Sequence, residues 1–238
     1  MKKIILSLLL LFIANSNSSV TAGKMWTYKK LQLEKGNALT YAIILPDNFD
    51  SKKEYIALLA LPPGGQGKFM VELGLNDYWA KEAKKRGWIV ISPIAPQGGF
   101  SGGTNMKELC EHLLGQFKIK DEKFHLSGNS NGGLSSFRVA LKYPQYFKSI
   151  TVLAGYTRDF DKLERIKHIP INLFVGEKDL GWLRPMEKMK QALQSMNAKV
   201  SWYVIANEGH EIRSLFNNPK VFDVIDRLDV LDARVMVQ

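Results

Sequence analysis

The sequence predicts a single α/β domain with a mostly parallel sheet of about eight strands covered by helices on both faces. Short, continuous apolar runs such as residues 55–61 and 171–175 are typical of strands that are buried on both sides. Segments with helical spacing of apolar residues separate these runs. Because the two patterns alternate along the chain, strands joined by crossover helices are expected, which favours parallel pairing.

The chain order supports this fold class. Residues 26–33 and 38–45 flank a turn at 34–37 and predict an opening β-hairpin. No internal repeat and no linker divides the rest of the chain, so residues 23–238 are expected to form one domain. After the hairpin we predict strands at 55–61, 88–91, 124–127, 150–153, 171–175 and 200–205, and helices at 76–86, 104–117, 131–142, 185–196 (with a proline in its first turn) and 219–231.

Composition excludes several classes of protein. The 33 Lys and Arg residues exceed the 23 Asp and Glu residues, which gives a formal charge of +10. These cations are scattered rather than interleaved with aromatic residues, so we expect a basic solvated surface and no nucleic-acid partner. The single cysteine, Cys110, excludes an intramolecular disulfide and a cysteine-ligated zinc finger, and with only four histidines we expect no metal and no cofactor.

The first residues have the pattern of a signal peptide. Lys2 and Lys3 precede an apolar run at 4–14 that is too short to span a bilayer as a stable helix. Small residues then lead to Ala22, after which we expect cleavage. The mature chain would be exported, to a periplasm or out of the cell, without a stable membrane span. An uncleaved N-terminal anchor is the alternative interpretation.

The strongest chemical signal is the serine turn, which we define as residues 128–133 (Gly-Asn-Ser-Asn-Gly-Gly). It lies between a predicted strand and a predicted helix. A serine at such a sharp turn requires small residues two positions before and after it, here Gly128 and Gly132. The helix after the turn directs its positive N-terminus to the same point. Ser130 is therefore a candidate nucleophile, although a plain glycine-rich turn would also account for the pattern.

A nucleophilic serine requires a base and an acid that orients the base. His210 follows the last predicted strand, and Asp179 follows the strand before it. The carboxyl ends of parallel strands meet at one edge of the sheet, and the order Ser, Asp, His is the one used by such sheets. We therefore predict catalytic roles for Ser130, Asp179 and His210, with Glu177 as the alternative acid.

A tetrahedral intermediate also needs backbone N–H donors. One is expected from Asn131, the residue after the serine, and one from the oxyanion loop, which we define as residues 62–67. Prolines have no N–H, so the loop donor must be Gly64, Gly65 or Gln66, and we favour Gln66 or Gly65. Trp182, close to Asp179 in sequence, is a candidate substrate contact, and an ordinary partly buried tryptophan is the alternative.

With these motifs the chain resembles the α/β-hydrolase superfamily over essentially its whole mature length. Within it, the chain is similar to secreted carboxylesterases of the feruloyl esterase and polyhydroxybutyrate depolymerase kind, and to the catalytic domain of prolyl-oligopeptidase-type peptidases. Two features depart from these groups: no histidine precedes the oxyanion glycines, and the disulfides frequent in the secreted esterases cannot form.

The resemblance implies an α/β-hydrolase fold without a large lid, because only residues 155–170 separate the two strands between which lids commonly enter. Residues 97–104, rich in glycine, are expected to form one wall of the site. The leading hypothesis is a serine esterase acting on small-molecule or polymer-borne esters. A serine peptidase and a non-catalytic binding protein are the alternatives. The sequence does not indicate an oligomeric state.

Overall fold

The computed structural model describes residues 24–96, residue 100 and residues 104–235. The predicted signal peptide and most of the glycine-rich segment 97–104 lie outside these residues. Eight strands form one sheet in the order β1-β2-β4-β3-β5-β6-β7-β8. The hairpin pairs antiparallel and joins the sheet antiparallel to β4, and the remaining pairs are parallel. The strands are β1 Thr27–Leu31, β2 Leu39–Ile44, β3 Ala57–Leu61, β4 Ile89–Pro93, β5 Phe124–Asn129, β6 Phe147–Leu153, β7 Ile171–Gly176 and β8 Val200–Ile205.

The central strands form where the sequence is continuously apolar. Every residue of β3, β4 and β7 is buried, as expected for strands covered by helices on both faces. The helices are α1 Lys68–Gly74, α2 Ala80–Arg86, α3 Thr104–Gln116, α4 Asn131–Lys142, α5 Leu180–Ser195 and α6 Lys220–Val235. The predicted fold class, a mostly parallel eight-stranded sheet with helices on both sides, is confirmed.

Helices cover the sheet in two layers, each with its own apolar cluster. One cluster contains Leu113 of α3, Phe137 of α4 and Met189 of α5. The other contains Trp79 and Phe222, which come from the α1–α2 region and from α6. The sheet therefore separates two cores, and its carboxyl edge remains available for the loops at the ends of the strands.

Two helices begin earlier than the sequence predicts. Helical structure runs without interruption from Lys68 to Arg86, because a π-helical turn at Leu75–Trp79 joins α1 to α2, whereas a start at residue 76 is predicted. Helix α5 begins at Leu180, so Pro185 lies inside the helix and not in its first turn. Proline is a common helix-start residue, but here tertiary packing of the preceding turn extends the helix before it.

The connection between β6 and β7 contains no lid domain. It includes a 3₁₀ helix at Phe160–Ile166, in which Leu163 and Ile166 are buried against the main core. This segment packs on the domain through these two residues, and Tyr156 at its start contacts Trp182. In the part of the chain that the structure describes, no helix combines the length and apolarity required to cross a bilayer.

Candidate active site

Ser130 lies between β5 and α4 with a strained backbone, φ 55° and ψ −119°. The turn is tight enough that only glycine fits beside it. A Cβ on Gly128 would lie 2.3 Å from the Gly132 carbonyl oxygen, and a Cβ on Gly132 would lie 2.0 Å from the Leu61 carbonyl oxygen. The Ser130 N–H donates to the Leu153 carbonyl at 2.9 Å, which fixes the turn against β6. The predicted requirement for glycine at both positions therefore has a direct steric cause.

The loops after β7 and β8 are locked together. A Cβ on Gly176 would lie 2.2 Å from the Gly209 carbonyl oxygen, so the two chain segments approach to backbone contact there. The Lys178 N–H donates to the Glu208 carbonyl at 2.8 Å, and the Glu177 N–H donates to the Ile205 carbonyl at 3.0 Å. These bonds hold the loop that carries Asp179 against the loop that carries His210.

The structure brings the three predicted side chains into one hydrogen-bonded chain. Nδ1 of His210 lies 2.7 Å from Oδ2 of Asp179, and Nε2 of His210 lies 2.8 Å from Oγ of Ser130. The Asp179 side chain is only 11% exposed, whereas the His210 side chain is 40% exposed. The carboxylate is thus shielded from water, and the imidazole faces the open side of the site.

The alternative acid, Glu177, is directed elsewhere. Its carboxylate accepts the Asn207 N–H at 2.8 Å. Glu208, two residues before His210, accepts the N–H groups of Arg213 and Ser214, and hydrogen bonding by Ser214 lowers the pKa of its carboxyl. Both glutamates therefore brace the loops around His210, and Asp179 is the carboxylate in contact with the imidazole.

The oxyanion loop and α4 face each other across Ser130. Asn131 is the first residue of α4, so its N–H has no acceptor within the helix, and its side-chain amide donates to the Gly64 carbonyl at 2.8 Å. Gln66 is buried, with φ 57°, and its N–H donates to the Pro63 carbonyl at 3.0 Å. That bond already occupies the Gln66 N–H, whereas Gly65 is exposed and Gly64 lines the cleft that reaches Ser130. The identity of the loop donor stays a prediction.

Trp182 lies against the histidine. Its ring centroid is 4.8 Å from that of His210, with the rings tilted, and 5.5 Å from that of Tyr156, which it meets edge to face. This contact restricts the imidazole from one side. Trp182 does not line the cleft that opens onto the serine and the histidine, and its predicted substrate contact stays a prediction.

That cleft, of about 640 Å³, reaches Ser130 and His210. Apolar side chains form much of its wall, and Asp77, Glu211 and Arg213 contribute charged groups. The lining residues are Pro63, Gly64, Met70, Leu73, Asp77, Tyr78, Asn129, Ser130, His210, Glu211, Arg213 and Phe216. Among the described residues, no group of three or more His, Cys, Asp or Glu is arranged to hold a metal ion.

The sequence motifs do not indicate the other residues that line the cleft. Asp77 and Tyr78 fall in a predicted helix, where their spacing indicates only a packed face. Arg213 and Phe216 lie beyond the last motif, in a segment without periodicity. Only the proximity of Glu211 and Arg213 to His210 in sequence gives a signal, since residues that flank a catalytic loop commonly line its site.

The sheet and the serine–histidine–aspartate chain together define an α/β-hydrolase, as the sequence resemblance predicts. The family model described as "Putative esterase" matches residues 34–235. The chain therefore belongs to that family.

Solved structures with the same fold include several esterases. A thermostable esterase superposes with a TM-score of 0.71 at 18% identity, over 86% of this chain and 62% of that one. An S-formylglutathione hydrolase from Agrobacterium tumefaciens gives 0.64 at 16%, over 84% and 93%. A ferulic acid esterase from the anaerobic fungus Anaeromyces mucronatus gives 0.66 at 12%, over 83% and 88%. At these identities the likeness shows the fold.

A curated relative matches only locally. The "Putative carbamate hydrolase RutD" of Pantoea ananatis is 31% identical over 64 residues, which are 26% of this chain and 23% of that protein. The chain thus spans less than a quarter of that relative, and 62% of the thermostable esterase.

Proposed function

We propose that the protein is a serine carboxylesterase that hydrolyses small-molecule or polymer-borne esters through an acyl-enzyme. The observation that carries the proposal is the chain of two short hydrogen bonds from Asp179 through His210 to Ser130, at the end of an open cleft. Membership of an esterase family supports the same reaction class. No cofactor is needed, because the three side chains supply nucleophile, base and orienting acid.

The geometry suits a two-step reaction. Ser130 Oγ attacks the ester carbonyl carbon while its proton moves to Nε2 of His210. Asp179 accepts the Nδ1–H of His210, which fixes the tautomer and stabilises the imidazolium. The alcohol leaves with the proton from Nε2, and water, deprotonated by the same nitrogen, then releases the acid and restores Ser130.

The negative oxygen of each tetrahedral intermediate requires donors. We assign them to the Asn131 N–H at the start of α4 and to the N–H of Gly64 or Gly65 in the oxyanion loop. The positive end of α4 adds to the stabilisation of the negative oxygen. The bond from the Asn131 side chain to the Gly64 carbonyl holds the loop at the distance this arrangement needs.

The direct test compares wild type, Ser130→Ala and Ser195→Ala on p-nitrophenyl acetate, butyrate and octanoate. Ser195 is exposed at the end of α5 and serves as the control. We expect hydrolysis of the short esters to fall at least about 10³-fold in Ser130→Ala and to be unchanged in Ser195→Ala. Equal activity in Ser130→Ala and wild type would contradict the assignment.

A serine peptidase is the competing activity, since the same side chains hydrolyse amides. The ratio of activity on a p-nitrophenyl ester to activity on the matching peptide p-nitroanilide separates the two. An esterase gives strong ester turnover with little or no release of nitroaniline. Nitroaniline release at a comparable kcat/KM would instead favour the peptidase. Absence of Ser130-dependent turnover on both would favour a binding protein.

We further propose that residues 1–22 direct export, either to a periplasm or out of the cell. The charged start, short apolar run and small residues before Gly23 support this. Mass spectrometry of the protein recovered from the native cell envelope or medium is expected to find Gly23 as the first residue. Recovery of the intact N-terminus with the cytoplasmic fraction would contradict export.

A further inference from the structure

One wall of the cleft combines two aromatic rings with a carboxylate. The rings of Tyr78 and Phe216 meet edge to face, with centroids 5.1 Å apart, and both residues line the cleft together with Asp77. Ser130 and His210 belong to the same lining. Any group that occupies this wall therefore lies in the same cleft as Ser130 and His210.

The wall is built by an unusual backbone feature. Asp77 and Tyr78 lie in the π-helical turn Leu75–Trp79 that interrupts the long helix. Such turns change which residues face outward, and they occur frequently at functional sites. Two bonds tie the turn to the segment after His210: the Tyr78 hydroxyl donates to the Glu211 carbonyl, and the Asn217 N–H donates to the Asp77 carbonyl at 2.6 Å.

One charged side chain at this wall lacks a counterion among the described residues. Glu211 and Arg213 form an exposed ion pair with each other, because Nε and Nη2 of Arg213 both lie 2.7 Å from Oε2 of Glu211. Among the described residues, the Asp77 carboxylate has no hydrogen-bond or ion-pair partner. Partial burial and the nearby Glu211 raise the pKa of Asp77.

A lone carboxylate beside aromatic rings is the arrangement that proteins use for ammonium groups. The ring faces attract a cation, and the carboxylate supplies the opposite charge. The other lining residues near this wall, such as Met70 and Leu73, are apolar and accept the methyl groups of a substituted ammonium.

We propose that Asp77, Tyr78 and Phe216 form a cation subsite, so that the enzyme prefers esters carrying a substituted ammonium group. This inference rests on the proposed esterase function, and it names the substrate class of the same site. It concerns specificity and not the chemical step, so variants of these residues are judged by ratios between paired substrates.

The test uses pairs of substrates that differ only in charge. The first pair is the p-nitrophenyl ester of 4-(trimethylammonio)butyrate and its carbon isostere, the 5,5-dimethylhexanoate ester. The second pair is acetylcholine and 3,3-dimethylbutyl acetate, which places the charge on the alcohol side. In wild type we expect at least one pair to show higher kcat/KM for the cation, with the difference carried mainly by KM.

The variants then test whether Asp77 is the source of the preference for the cation. Asp77→Asn is expected to reduce the cation-to-isostere ratio about tenfold, and Phe216→Leu to reduce it by a smaller factor. Asp161→Asn removes the same charge from an exposed position outside the cleft and should leave the ratio unchanged. Added salt should also reduce the ratio in wild type but not in Asp77→Asn.

The outcomes separate this inference from the proposed function. Ser130-dependent turnover with equal kcat/KM for both members of each pair, or a preference that survives Asp77→Asn, would overturn the cation subsite and leave the esterase intact. If none of these esters is hydrolysed, isothermal titration calorimetry measures the binding of the two free acids to Ser130→Ala. Tighter binding of 4-(trimethylammonio)butyrate than of 5,5-dimethylhexanoate, lost when Asp77→Asn is added to Ser130→Ala, supports the subsite, and equal binding refutes it.

Discussion

Two carboxylates only two residues apart have different roles because the backbone directs them to different partners. Asp179 contacts the His210 imidazole, whereas Glu177 accepts the Asn207 N–H at the far side of the same loop pair. The Asp179 carbonyl also accepts the N–H groups of Trp182 and Leu183, so this residue begins α5 as well as contacting the imidazole. Asp179 directly precedes α5 and reaches the histidine, whereas Glu177 lies two residues earlier and does not.

This difference gives a matched pair of variants. Asp179→Asn should lower kcat/KM on short esters about 10³- to 10⁴-fold, because the amide favours the wrong imidazole tautomer. Glu177→Gln keeps an acceptor for the Asn207 N–H and should stay within about tenfold of wild type. Steady-state kinetics of both variants checks the assignment. A larger loss in Glu177→Gln than in Asp179→Asn would reverse it.

At the scale of elements, the serine turn depends on glycines that permit close backbone contact. Gly132 packs against Leu61 of β3 so closely that a methyl group would collide with the strand backbone. Gly115, exposed near the end of α3, has no neighbour within 4 Å of the same position. The two helical glycines differ in what surrounds them, and this makes them a controlled comparison.

Gly132→Ala should lose about 3 kcal/mol or more of unfolding free energy and most of the activity, because β3 or the turn must move. Gly115→Ala should instead gain up to about 1 kcal/mol, since alanine is favoured in a helix. Urea unfolding followed by circular dichroism measures both values. Equal stability of the two variants would contradict the steric argument.

The strands were predictable within a few residues, because burial on both faces leaves a continuous apolar run in the sequence. The helix starts were less predictable. Lys68–Gly74 shows exposed Phe69 beside buried Val71, so its apolar residues do not follow one clean stripe. The motif residues of the site could be predicted because chain order places them at one sheet edge. The cleft wall could not, since Tyr78 and Phe216 meet only through tertiary packing.

Helices α2 and α6 are joined by a charged cluster centred on Arg86. Its guanidinium bonds to Glu82 at 2.5 Å, to Asp223 at 2.5 Å and to Asp226 at 2.8 Å. The Glu82 side chain is only 3% exposed, so it depends on its cations. The cluster fixes the two helices that cover one face of the sheet.

Arg86→Met should therefore destabilise the protein by about 2–4 kcal/mol, because Lys85 would be the one cation left beside Glu82 among the described residues. Lys84→Met breaks an exposed pair with Asp47 and should cost less than about 1 kcal/mol. Chemical denaturation of both variants tests the contrast. If Arg86→Met loses no more unfolding free energy than Lys84→Met, the cluster stabilises the protein no more than an exposed ion pair does.

At the scale of the whole molecule, the hydrophobic core and the candidate active site occupy different parts of the sheet. The two apolar clusters lie on its faces, while Ser130, Asp179 and His210 all come from loops at its carboxyl edge. The connection between β6 and β7 packs on the core through Leu163 and Ile166 and forms no separate domain. The cleft can thus accept different esters through changes in its wall without any change in the core.

The reactivity of Cys110 shows whether α3 stays packed on the sheet. It is fully buried in the cluster beneath α3, and burial raises the pKa of its thiol. Since only the thiolate reacts, alkylation by iodoacetamide at pH 8 should be very slow in the native protein and rapid in denaturant. Exposure requires α3 to leave the sheet, so the labelling rate should rise with urea along the global unfolding transition. Rapid labelling without denaturant, with activity retained, would instead show that α3 opens independently of the domain.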